Sequence, residues 1–338
     1  MITDRANEPG YAAVRDGGAG LIDLSARGRI LISGSEAVMF LNGLVTNDMK
    51  TLLPNTWMPA VFPNVQGRLL AAVRIIHRED GFLIDTEAAT RETVVKLLER
   101  FTLAGDFRLA DLTENTAQVS IQGERASEIM AAVLGETPAN LGRDAVASVN
   151  WQGKQITIIR ATHTAEDGFD LFVDATEAEK LRGAFVKAGA QSLGSDVGET
   201  LRIEAGIARY GIDMDETCVV TEANLDDAVS FTKGCYIGQE IIARIKYRGH
   251  VAKKLAGLIF EGEASLESGA KIFSVDDKEI GRVTSVTFSP RLNRTVALGY
   301  LKYDYLAPET SVKLVFAGKE LPAAVAELPF VRGSWYSD

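Results

Sequence analysis

The sequence predicts an α+β chain: two paired α+β units followed by a small antiparallel β domain. Three observations carry this. The order strand, strand, helix occurs twice in the first 190 or so residues. After Lys253 the pattern changes to short period-2 runs broken by Gly, Asp and Pro, with no long helix. The 338 residues also exceed what one hydrophobic core usually organises.

Residues 1 to 20 hold a short helix candidate, EPGYAAVRDGGAG, ended by glycines. Ile22 to Leu24 and Arg29 to Ile32 read as strands, and Ser35 can cap a short helix from Glu36 to Leu41. Leu52 to Pro63 is punctuated by prolines and reads as irregular. Arg68 to His77 and Phe82 to Asp85 form a hairpin through Glu79-Asp80-Gly81. Thr90 can cap a helix running to about Phe101. Strand Ala117 to Gln122 and helix Glu124 to Leu134 then echo the first segment, through SGSEAVMFL and QGERASEIM. A second hairpin spans ASVNWQGKQITIIRATHTAEDGFDLFVD, and Asp174 to Gly189 supplies its helix. Glu199 to Gly206 reads as helical, and the acidic TEANLDDAVSF as a surface loop. The remaining runs suggest a small antiparallel barrel or sandwich. In the closing segment, Phe330 and Trp335 are candidates for packing.

The net charge of −10 disfavours a broad nucleic-acid surface, which needs a positive footprint. Two cysteines without a CxxC imply no disulfide framework, and three scattered histidines give no dense zinc or haem pattern. MITDRANEPG lacks a signal peptide's apolar core, and no apolar run is long enough to span a bilayer. The expectation is a cytoplasmic monomer without membrane or stable nucleic-acid partners.

The stretch around which the chain is organised is SFTKGCYIGQEIIARIKYRGHV, residues 230 to 251. Gly234 and Gly238 flank a turn holding Cys235, and Ile241, Ile242 and Ile245 recur at helical spacing. A lone turn cysteine is ordinarily a small buried filler. The alternative is a reactive thiol, favoured as thiolate by a helix N-terminus and by Lys233.

The string KGCYIGQE at 233–240 resembles folate-binding proteins related to the glycine-cleavage T-protein, in their YgfZ-type branch. Asn224-Leu225-Asp226, the run from Val229, Ala243-Arg244, Tyr247-Arg248-Gly249, NVQGR at 64–68 and RIEAG-x-x-x-YG at 202–211 extend the likeness. The resemblance implies a three-domain cloverleaf around a folate site. Its first α+β domain would comprise 1–50, 110–140 and 196–245. The second would comprise 51–109 and 141–195, and a C-terminal antiparallel β-barrel 246–338. It implies tetrahydrofolate or a derivative, in some cases polyglutamylated, as cofactor. It also implies a role in iron–sulfur cluster assembly or repair, with assembly proteins or client [4Fe–4S] enzymes, including tRNA-modifying ones, as partners.

Carried over residue by residue, Glu204 resembles the carboxylate that holds the pterin. Two acceptor oxygens suit parallel N–H donors there, although a helix-surface glutamate is the plain alternative. Tyr236 would border the ligand or simply pack beside the turn. Asn42, Asn47 and Gln66 match positions near the ligand mouth, or serve as turn residues. Arg244, Lys246, Arg248, His250, Lys253 and Lys254 form a basic run that can hold a polyglutamate tail or be a solvated face. Cys235 is the candidate functional thiol.

T-proteins carry an aspartate four or five residues after the QG turn, tied to aminomethyl transfer; here Ala71 and Ala72 stand there. An alanine methyl cannot orient an amine. The expectation from that departure is an accessory folate binder without true aminomethyltransferase activity. A folate-dependent aminomethyltransferase or demethylase using another base, such as Asp48, is the second reading, and a scaffold with a vestigial pocket the third.

Overall fold

The computed structural model describes residues 9–103 and 105–337; the predicted helix at 1–20 lies partly outside them. In chain order come α1 (Pro9–Arg15), β1 (Gly20–Asp23), β2 (Gly28–Ser33), α2 (Ala37–Leu44), β3 (Trp57–Pro63), β4 (Leu69–Arg78), β5 (Gly81–Thr86), α3 (Arg91–Glu99) and β6 (Arg108–Asp111). Next are β7 (Thr116–Gln122), α4 (Ala126–Leu134), α5 (Glu136–Ala139), β8 (Val146–Trp151), β9 (Lys154–Arg160), β10 (Gly168–Asp174), α6 (Ala178–Lys187) and β11 (Gln191–Ser192). Helices α7 (Ser195–Glu204) and α8 (Gln239–Arg248) precede β12 (Lys253–Phe260), β13 (Lys271–Ser274), β14 (Glu279–Ser289), β15 (Arg294–Lys302), β16 (Ser311–Phe316) and β17 (Lys319–Ala326).

The strands form a five-stranded sheet (β3-β4-β5-β2-β6), a six-stranded sheet (β11-β1-β7-β10-β9-β8) and a closed antiparallel barrel (β12-β15-β14-β13-β16-β17). This is the three-part α+β architecture with a terminal barrel that the cloverleaf implies. The sheets are apportioned differently from the expected segments. Residues 28–111 supply the whole five-stranded sheet, while β1 joins β7 to β11 in the other.

Each sheet buries one face under helices. Leu41 of α2 and Val94 and Leu98 of α3 meet Ile30, Ala71, Val73 and Ile75 in one core. Ile129 and Met130 of α4 and Leu181 and Phe185 of α6 meet Val119, Ile158 and Leu171 in the other. Alternation along a strand sends Ala72, Arg74 and Ile76 of β4 to the opposite face. There Ile76 and Leu83 pack on Val146, Ile159 and Phe172 of the six-stranded sheet. A central cluster containing Leu69, Ile203, Val220, Tyr236, Ile242, Leu255 and Leu298 ties the sheets to the barrel.

Two expectations are corrected. Residues 57–63 are a strand, not an irregular segment: β3 lies at the sheet edge, where Pro59 and Pro63 do not break a central ladder. The acidic TEANLDDAVSF is not surface loop. Ala223, Ala228 and Val229 are buried in the central cluster, and Glu222 folds back to accept the Val219 backbone N–H at 3.1 Å.

Candidate functional site

The glycine-rich turns of the sequence meet. Gly238, at φ +77°, caps the start of α8, and a Cβ there would stand 2.4 Å from the Asn64 carbonyl oxygen and 3.1 Å from Gly67 Cα. Gly67, at φ +70°, in turn lies against Ile241 and Ile242. The two motifs NVQGR and KGCYIGQE therefore form one joint, and glycine is needed where backbones touch.

Lys233 closes this joint from below. It is buried, and its Nζ donates to the carbonyls of Asn42 (2.7 Å), Val45 (2.9 Å) and Asn47 (2.6 Å) at the C-terminal end of α2. Those carbonyls lack intrahelical partners, so a cation there is favoured. Burial lowers the ammonium to about 8. Tyr236 is buried with its ring 5.0 Å from Lys233 Nζ, and burial pushes its phenol up to about 12. Cys235 is exposed and stands three residues ahead of the helix cap. The cation expected to favour its thiolate is committed to carbonyls.

Asn42 and Asn47 shape the same turn. Asn42 Oδ1 accepts the Met49 N–H at 2.9 Å, and Asn47 Nδ2 donates to the Pro59 and Asp227 carbonyls at 2.8 and 3.3 Å. Gln66 is exposed at the tip of its turn. The basic run divides between elements. Arg244 and Lys246 are exposed on α8, Lys246 lying 5.1 Å from the Phe231 ring. His250 stacks on Tyr303 at 3.9 Å, and Lys254 pairs with Asp226 at 3.5 Å.

Glu204 is fully buried at the end of α7, with every acceptor position taken. Oε1 receives Tyr11 Oη at 2.7 Å and Ser289 Oγ at 2.5 Å; Oε2 receives Arg15 Nε at 3.0 Å and Nη2 at 2.8 Å. Arg15 also reaches Glu166 at 2.9 Å, so α1, α7, the 161–167 loop and the barrel meet here. These contacts clamp the N-terminal helix to the rest of the chain.

A second buried charge chain joins the two sheets. Asp85 of β5 accepts from Arg27 Nε and Arg74 Nε, each at 2.7 Å. Arg74 Nη2 continues to Asp170 of β10 at 2.6 Å. That contact is an ion pair without a hydrogen bond; Asp170 accepts Gln118 Nε2 at 3.1 Å and meets His163 Nε2 at 3.0 and 3.1 Å. Burial alone would raise Asp170, but its contacts with His163 and Arg74 more than offset it, holding the carboxyl far below the usual aspartate range. Arg27 and Arg74 likewise outweigh burial at Asp85.

This chain borders a cavity of about 400 Å³ lined by Leu24, Leu193, Ile207 and Ala208 together with Arg27, His163, Arg202 and Arg209. Apolar walls with a few convergent polar groups, at this size, suit a small organic ligand. Reading the sequence alone missed His163, Asp170, Arg74 and Asp85. The available signal was a single charge inside each otherwise apolar strand run, VRII, LIDT and FDLFV.

The fold agrees with the comparisons. The "GCVT N-terminal domain" model matches residues 4–233, and the "Glycine cleavage T-protein C-terminal barrel domain" model matches 253–332. An aminomethyltransferase of Rubrobacter xylanophilus is 32% identical over 93% of this chain and 83% of its own length. One of Geobacillus kaustophilus is 30% identical over 93% and 87%. The aminomethyltransferase T structure from Bartonella henselae superimposes with a TM-score of 0.88 at 23% identity, covering 96% of this chain and 89% of that one, a likeness of fold. The chain belongs to the glycine cleavage T-protein family.

Two expectations are overturned by these relatives. The reading as an iron–sulfur assembly accessory gives way, because full-length similarity runs to aminomethyltransferases. The same similarity overturns the inference from Ala71 and Ala72 against transferase activity. The structure supplies a physical reason why that inference was weak. Ala71 points into the core beneath α2 and α3, so only Ala72 shares the junction face with Arg74. Charged groups from other strands already occupy that junction.

Proposed function

We propose that this protein is a folate-dependent one-carbon transferase of the aminomethyltransferase kind, passing the carbon of an aminomethyl donor to tetrahydrofolate with release of ammonia. The observation that carries the reading is the full-length similarity to aminomethyltransferases, spanning both family domains. The cavity supports it: the space is adequate, Leu24, Leu193 and Ile207 offer apolar surface to a pterin, and Arg209 offers a partly exposed cation to a carboxylate. Tetrahydrofolate supplies the nucleophilic nitrogen that receives the carbon. The chain's residues hold the ligand, exclude water and manage protons. The exposed Arg244 and Lys246 suit a polyglutamate extension of the ligand. Within the family, KGCYIGQE supports placement beside the YgfZ-type branch.

The test is ammonia release from an aminomethyl-loaded lipoyl carrier in the presence and absence of tetrahydrofolate, using the full chain. Release that depends on tetrahydrofolate is expected. Absence of release, with saturating donor and acceptor and a folded protein, would overturn the reading.

A further inference from the structure

The polar groups lining the cavity are almost all committed to one another. Arg27 is held by Asp85 and Glu87. Arg202 is held by Glu199, Asp213 and Ser285. Arg209 pairs with Glu199 at 3.1 Å. His163 differs. Its Nε2 is fixed on Asp170, its side chain is 21% exposed, and its Nδ1 has no hydrogen-bond partner among the described residues. A carboxylate at Nε2 assigns the proton of the neutral ring to that nitrogen, which leaves Nδ1 as a free acceptor. A ring nitrogen oriented by a buried carboxylate at a cavity wall has the geometry of an acid–base group.

A second observation comes from the same carboxylate. Gln118, fully buried, gives Nε2 to Asp170 while its Oε1 is buried without any partner. Buried amide oxygens are ordinarily satisfied, so the polar cluster around Asp170 keeps one unpaired acceptor.

We infer that His163, aimed by Asp170, is the proton carrier of the cavity, standing in for the carboxylate absent at Ala71 and Ala72. The inference rests on the transferase reading above. His163 Nδ1 accepts the N–H proton lost by the acceptor nitrogen as its new bond to the aminomethyl carbon forms. The same proton is then given to the departing amine. The carbon–nitrogen bond to that amine breaks, the electron pair leaves with it, and ammonia is released. In a second exchange the carbon–sulfur bond to the carrier breaks, its electron pair leaving with the sulfur, while a second acceptor nitrogen bonds the carbon and its N–H proton ends on the thiol. In all, two N–H, one C–N and one C–S bond are exchanged for two C–N, one N–H and one S–H bond, with no oxidant or reductant. Asp170 is a positioning residue, since it acts through the imidazole.

The experiment has two arms. In the first, the imidazole nitrogens of His163 are followed by ¹⁵N NMR in the full chain while tetrahydrofolate is added, with His163→Gln identifying the resonance. Movement of the Nδ1 signal is expected; a signal unchanged at saturating ligand would overturn the inference. In the second arm, His163→Gln is expected to bind tetrahydrofolate within a few-fold of the parent but to release ammonia 10²–10⁴ times more slowly. Added imidazole should restore part of the rate to His163→Ala. Parental rates in both variants would overturn the inference. Should Nδ1 respond to ligand while the parent itself releases no ammonia, the transferase reading fails and the placement of His163 at the ligand stands. A parent that neither binds nor transfers overturns both.

Discussion

Glu204 and Asp170 are both fully buried carboxylates held by arginine, and they do different work. Glu204 is closed. Tyr11, Ser289 and both ends of the Arg15 fork fill its acceptor sites, and none of these donors lines the cavity. Asp170 is open at one end, because one of its partners, His163, reaches the cavity wall and keeps a nitrogen free. Burial and charge pairing are alike in both, so neither distinguishes a clamp from a functional group. What distinguishes them is whether the last member of the network has unspent hydrogen-bonding capacity facing a space.

The largest effect expected from this contrast is on stability at the closed cluster. Glu204→Ala removes one partner of a buried pair and leaves Arg15 Nε and Tyr11 Oη without their acceptor. The loss should be about 3–5 kcal/mol in urea denaturation. Tetrahydrofolate affinity of the folded fraction should change little. A variant of parental stability that no longer binds tetrahydrofolate would break the comparison and return Glu204 to the ligand.

The open cluster should respond in the opposite proportion. Asp170→Asn keeps the shape, leaves Arg74 paired with Asp85 and removes the charge that aims His163. Ammonia release should fall on the order of 10²–10⁴-fold, while stability falls by about 1–3 kcal/mol. The stability difference between parent and variant should itself depend on pH. A carboxyl whose folded pKa is depressed contributes fully above its unfolded value of about 3.9 and loses the contribution as pH falls toward the folded value. Parent and Asp170→Asn denaturation curves should therefore converge below about pH 4 and separate above it. A constant gap across that range would mean that folding does not lower the Asp170 carboxyl.

The sequence made the period-2 barrel and both hairpins legible, because alternation survives wherever one face of a strand is buried. It failed at β3, where proline reads as a breaker unless the strand is known to lie at an edge. The segment 221–231 was misjudged because its carboxylates mask small apolar residues, Ala223, Ala228 and Val229, that fill the centre. Within the site, motif residues were visible because glycines mark a turn; what they build is a joint between two loops. The polar chain from Arg27 to His163 was not legible. Its members come from β4, β5, β10 and two loops, and no local spacing encodes their meeting.

The smallest effect is expected at the residue the sequence made most prominent. Cys235 belongs to neither buried cluster. Its side chain is exposed, it stands ahead of the α8 cap rather than at it, and Lys233 spends its charge on three backbone carbonyls. A serine in an exposed turn loses no packing, so Cys235→Ser should change stability by no more than about 0.5 kcal/mol. Ammonia release should stay within about twofold of the parent, an effect of at most about 0.4 kcal/mol on the barrier. The decisive comparison is between Cys235→Ser and Lys233→Met in the same assays. Lys233→Met leaves three buried carbonyls without their donor, so it should destabilise the joint clearly while the cysteine variant does not. A large rate loss in Cys235→Ser with an unchanged melting curve would give the thiol a chemical role. It would also show that an exposed group outside both clusters can matter more than the buried ones.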